Sequence, residues 1–144
     1  MGTASLMLIV LDSNILISAL ISAQGAPHRI FKAWREGRFE VVTCPEQLEE
    51  LRRASHYPKL RALVPAHIFG SLLNHLQRAT VFDRFPVLHE AADVHDAYLL
   101  NLAAAAGAHY LITGDKRSGL LERRRIGKAR ILTASSFCKT VLDK

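Results

Sequence analysis

The chain has 144 residues, 49% of them hydrophobic, which suits one domain with a real core and argues against a disordered polypeptide. Nineteen Lys and Arg against thirteen Asp and Glu leave a formal net charge of +6, which favours a polyanionic partner, nucleic acid first, and specifies no chemistry. Cys44 and Cys138 match no zinc or redox spacing and read as small core residues of a reduced, cytoplasmic protein. No secretory leader is evident, and no apolar stretch reaches the roughly 18 residues that a membrane span needs.

Leu6–Leu11 (LMLIVL) is apolar on both alternating faces, the pattern of a strand covered on two sides in a parallel sheet. Met7 offers an alternative start, so residues 1–6 read as an extension of a single domain spanning 1–144. Ser13 or Asn14 is expected to cap a helix carrying Ile15, Leu16, Ala19 and Leu20, which Gln24-Gly25-Ala26-Pro27 ends. His28–Glu36 follows as a helix with Ile30, Phe31 and Trp34 on one face, stopped by Gly37.

Phe39–Thr43 (FEVVT) predicts a second strand, and Pro45 opens a helix in which Leu48 and Leu51 face the core. Tyr57-Pro58-Lys59 reads as a break. Pro65–Arg78 predicts an amphipathic helix with Ile68, Leu72, Leu73 and Leu76 inward. Thr80–Phe82 predicts a short strand, Asp93–Ala106 a helix ended by Gly107, and Tyr110–Thr113 (YLIT) a short buried strand. Arg130–Thr133 is the last expected strand and Ala134–Leu142 the closing helix. Strands alternating with helices predict an α/β domain with a mostly parallel sheet.

That architecture gives four acids a common address. Ligands of open α/β sheets bind outside the carboxyl ends of the strands. Asp12 follows the first strand, and Asp115 follows YLIT across Gly114. Asp96 begins the helix that runs back into YLIT, and Glu50 lies early in the helix after FEVVT. Each has an ordinary explanation by itself: a helix cap for Asp12 or Asp96, a solvated face for Glu50, a turn for Asp115. Converging on one rim, they would repel one another unless a cation compensates. Oxygen ligands without a His or Cys pattern favour Mg²⁺ or Mn²⁺ over zinc.

With these residues in hand, the chain resembles the PIN-domain family, and most of all its VapC-like toxin components of bacterial toxin–antitoxin pairs. IVLDSNILISAL is similar to the family's opening strand and Asp-x-Asn. FEVVTCPEQLEELRRASHYPKL resembles its second segment, with Glu50 before Leu51, although Glu49 is a rival. DAYLLNLAAAAGAHYLITGDK resembles the stretch joining Asp96 to Asp115, and ARILTASSF the closing strand and helix start. The resemblance runs from Leu8 to Phe137. It implies a three-layer α/β/α fold, Mg²⁺- or Mn²⁺-dependent endoribonuclease activity, homodimerisation, and a small separately encoded antitoxin that covers the site. The chain departs from the family before Asp96, where Ala91-Ala92-Asp93-Val94-His95 carries fewer acids than relatives do, and Asp93 can stand in for a missing ligand.

The expected chemistry is in-line attack on phosphorus by a metal-activated water, with Asp12, Glu50, Asp96 and Asp115 as catalytic and metal-holding groups. Asn14 and Thr113 are placed to support the acids by hydrogen bonds. Arg52 and Arg53 after Glu50, and Lys116, Arg117, Arg123, Arg124 and Arg125 after Asp115, are the expected RNA contacts. A charge run that merely solvates a face is the competing explanation. The rival functional classes are a non-catalytic PIN-like module that binds RNA or protein, and a small-molecule phosphatase, which the basic surface and the lack of a Gly-rich nucleotide loop disfavour.

Overall fold

Strands of two to four residues cannot hold themselves together, and here they gain stability by lying side by side under helices. The computed structural model describes residues 6–91, 94–114 and 119–143. Among the described residues the strands are β1 (Leu8–Leu11), β2 (Glu40–Thr43), β3 (Thr80–Val81), β4 (Tyr110–Ile112), β5 (Arg125–Ile126) and β6 (Ala129–Leu132). They form one sheet in the order β3-β2-β1-β4-β6-β5. Every pairing is parallel except that of β5 with β6. Ile9, Val10 and Leu11 pair with Tyr110, Leu111 and Ile112, and these in turn lie level with Arg130, Ile131 and Leu132.

The helices are α1 (Ser13–Ile21), α2 (Ala26–Arg35), α3 (Pro45–Ala54), α4 (Pro58–Leu63), α5 (Ala66–Gln77), α6 (Val94–Ala106), α7 (Leu120–Arg123) and α8 (Ala134–Phe137). Because side chains alternate along a strand, the sheet feeds two cores. Ile9, Leu11, Val41 and Ile112 pack under α1, α2, α3, α5 and α8, with Leu16, Ile30, Leu51, Leu76 and Phe137. Val10, Val42, Leu111 and Ile131 pack on the other face under α6 and α7, with Leu99, Leu100 and Leu120. This is the expected three-layer α/β/α arrangement with a mostly parallel sheet. Both cysteines are free and buried, and burial pushes the Cys44 thiol up to about 12, as suits an inert core residue. Among the described residues no helix is long and apolar enough to cross a membrane.

Several local expectations need correction. Asp12, not Ser13 or Asn14, caps α1, because the chain leaves β1 in an extended conformation at Asp12 and becomes helical one residue earlier than expected. Tyr57-Pro58-Lys59 does not break the chain but opens α4, with Pro58 in the first turn, where its missing N–H costs nothing. The segment before β6 is not open chain: α7 and β5 precede it, and β5 turns back on β6 through Gly127 at φ 57°. The closing helix is α-helical only to Phe137 and continues as a wider π turn over Cys138–Leu142.

Candidate active site

The central strand ends against its most constrained polar residue. Asp12 is 7% exposed, and its backbone N–H donates to the Ile112 carbonyl at 2.9 Å, extending the β1–β4 ladder by one bond. Its carboxylate is then held from two directions. The Asn14 backbone N–H donates to Oδ1 at 3.1 Å, and the Thr113 hydroxyl donates to Oδ2 at 2.8 Å. Thr113 is fully buried just past the end of β4, so the level register of β1 and β4 places its hydroxyl beside Asp12. The positive end of the α1 dipole adds to this stabilisation of the carboxylate. Asn14 thus supports Asp12 through its backbone, while its exposed side chain lies over the neighbouring groove.

A second polar group fastens α3 and α6 to the same edge. Gln47 is fully buried, accepting from the Thr43 hydroxyl at 2.6 Å and donating to the Leu11 carbonyl at 2.6 Å. Its amide also reaches Ser13 Oγ at 3.4 Å. The last carbonyl of a central strand needs a partner once water is gone, and Gln47 supplies it. Glu50 lies one turn further along α3 on the same face. The Tyr98 hydroxyl donates to Glu50 Oε1 at 3.0 Å and lies 3.4 Å from Ser13 Oγ. Burial is the main cause that pushes the Tyr98 phenol well above its ordinary range, so it remains a protonated donor. Asp96, two residues before Tyr98 in the first turn of α6, is 6% exposed.

The structure therefore brings Asp12, Glu50 and Asp96, from three separate segments, to the carboxyl edge of the sheet. Glu49 points elsewhere, into an exposed pair with Arg52 at 3.8 Å. Arg53 joins Asn14 and Glu50 along a groove of about 500 Å³. Arg123, Arg124 and Arg125 share a concavity of about 610 Å³ with Arg130, and Arg123 Nη2 donates to the Glu90 carbonyl at 2.7 Å. Asp93, Asp115, Lys116 and Arg117 lie outside the described residues. Sequence reasoning passed over Thr43, Gln47, Ser13 and Tyr98. The one available signal was Gln47 itself, an amide flanked by acids on a helix yet lying one turn before Glu50.

Among the described residues no three His, Cys, Asp or Glu side chains gather closely enough to hold a metal ion. The PIN domain family model matches residues 8–117, most of the chain and all four acids. The chain belongs to the PIN domain family. No curated protein matches it. PIN domains are in general nucleases, which places this chain among nucleic-acid-binding hydrolases, and PIN nucleases generally use divalent metals. The donors at the rim, carboxylates braced by hydroxyl and amide groups, suit such hard cations. In this PIN domain β6, which completes the central pairing with β4, lies beyond the matched residues.

Proposed function

We propose that this PIN domain, a single domain over residues 1–144, is an Mg²⁺- or Mn²⁺-dependent endoribonuclease and the VapC-like toxin of a type II toxin–antitoxin pair. In this proposal it acts as a cytoplasmic homodimer and is inhibited by a separately encoded antitoxin that covers the rim. One observation carries it: carboxylates from three segments stand at one sheet edge, each braced or shielded by buried groups that would be costly to place there for stability alone.

Asp12, Glu50, Asp96 and Asp115 are the proposed metal-holding residues, with Asp93 as a supporting acid. The chemistry that a bound divalent ion supplies is Lewis acidity toward a phosphodiester oxygen and charge that offsets what builds up in the transition state. Thr113 and the Asn14 amide fix the Asp12 oxygens, leaving their other lone pairs directed at the rim. Tyr98 holds one oxygen of Glu50, so the other is oriented to position the attacking water and take its proton, a role Asp96 can share. Arg52, Arg53, Lys116, Arg117, Arg123, Arg124 and Arg125 would grip phosphates without reading bases.

The test is cleavage of a structured RNA by purified protein with Mn²⁺ or Mg²⁺, beside Asp12→Asn and Asp96→Asn proteins. Metal-dependent cleavage lost in both supports the proposal. Cleavage that survives both overturns the carboxylate site, and RNA binding without any cleavage selects the non-catalytic module. Growth arrest on expression, relieved by the product of a small neighbouring gene, tests the toxin role.

A further inference from the structure

The carboxyl edge is not the only polar concavity of this molecule. α2 leads into β2 and α5 leads into β3, and both strands run parallel to β1. The carboxyl ends of α2 and α5 therefore lie at the opposite edge of the sheet from Asp12. There a cavity of about 420 Å³ is lined by Arg35, His67, Ser71, Asn74, His75 and Arg78, and by no acid.

The basic groups are held in place by aromatic rings. The Arg35 guanidinium stands 5.8 Å over the Phe31 ring, and His75 lies against Trp34 at 4.2 Å between ring centres. Among the described residues neither Arg35 nor Arg78 takes part in an ion pair. Glu40 borders an adjoining concavity with His75 and Arg78 but pairs with neither. Burial first, then the charges of Arg35 and Arg78, lower the His75 pKa, the sign of an uncompensated positive potential. Gly70 also lines the cavity, and a β-carbon built on it would meet nothing within 4 Å, so the floor is clear. Two guanidinium groups with hydroxyl and amide donors beside them suit the oxygens of a phosphate.

We propose that this cavity, at the edge remote from the acids, binds a backbone phosphate of single-stranded RNA. The choice of RNA as the phosphate's source rests on the endoribonuclease proposal above. Two phosphate-binding regions on opposite edges would let one strand be gripped on both sides of the sheet.

Trp34 is the chain's single tryptophan, and its contact with His75 makes its fluorescence a local probe. The test uses the Asp12→Asn protein without metal, so that binding is read separately from cleavage. It is titrated with inorganic phosphate and with a single-stranded RNA, beside Arg35→Gln/Arg78→Gln and Ser71→Glu versions of the same protein. A saturable change in Trp34 emission with RNA is expected. Both altered proteins are expected to lose affinity about tenfold, with the salt dependence flattened by about 0.7 for each arginine removed. Inorganic phosphate is expected to compete. Competition by phosphate with no response to RNA would show a small-anion site and overturn the RNA assignment. Unchanged RNA affinity in both altered proteins, with folding verified by circular dichroism, overturns the site. A Trp34 response from a protein that cleaves no RNA would sink the nuclease proposal and leave this site standing.

Discussion

The Tyr98 hydroxyl donates to Glu50 Oε1 at 3.0 Å, joining α6 to α3 over the carboxyl edge of the sheet. Forty-eight residues separate the pair. A buried phenol of raised pKa gives up its proton reluctantly, so it orients Glu50 without competing for the proton that Glu50 would take. Tyr98→Phe keeps the ring and removes only the donor. It is expected to slow RNA cleavage about tenfold or more while lowering stability by about 1 kcal/mol. Single-turnover cleavage beside a urea melt separates the two effects, and an unchanged rate would remove Glu50 from the working site.

Thr113 does for Asp12 what Tyr98 does for Glu50. Thr113→Val leaves a carboxylate oxygen of a buried acid without its hydroxyl, and is expected to weaken metal-dependent cleavage by about 10–100-fold. Thr113→Ser retains the donor and is expected to recover most of the rate. Equal loss in both would mean that shape, not the hydrogen bond, matters at this position. The rate at saturating Mn²⁺ against the rate at limiting Mn²⁺ distinguishes weaker metal holding from damaged chemistry.

Gln47 is the residue whose loss the fold is expected to feel most. Gln47→Leu would fill the space but strand the Leu11 carbonyl and the Thr43 hydroxyl in a dry interior. Two unsatisfied groups cost about 2–4 kcal/mol, a large share of a small domain's stability. Urea unfolding measures this directly. A loss indistinguishable from zero would mean that water reaches these groups.

His75 gives stability a dependence on pH. Burial, reinforced by Arg35 and Arg78, lowers its pKa below the ordinary 6.5. Glu40 shares the adjoining concavity without pairing to it. The unfolded chain thus binds a proton on this ring that the folded chain refuses. Its contribution is fully present above the unfolded value, falls as pH drops through that value, and levels off below the folded one. His75→Phe keeps a ring beside Trp34 and abolishes titration. The difference in urea midpoint between about pH 7 and about pH 5 is expected to shrink in this variant. An identical difference in both proteins would place the ring's proton equilibrium outside the stability of the fold.

The sequence by itself determined the layout. LIVL, EVVT and YLI are strands because their apolar residues occupy both faces, and that same pattern dictates a sheet covered on two sides. Once the sheet is parallel, residues after strands and at the starts of return helices must share an edge, so the common placement of Asp12, Glu50 and Asp96 follows from chain order. The preference for Glu50 over Glu49 was likewise legible as a helical face. Less was visible where geometry acts within a single residue or across long separations. Whether Asp12 or Ser13 capped α1 depended on the conformation of one peptide unit. The partnerships of Thr113 with Asp12 and of Gln47 with Leu11 span 101 and 36 residues, and no local period encodes them. The cavity between α2 and α5 is likewise tertiary, since Arg35 and Arg78 meet there only when β2 and β3 lie side by side. Periodicity reports which face of an element is dry. Which polar groups must find one another on the dry side is decided only when the elements pack, because an unmet buried hydrogen bond costs nothing until water has been excluded.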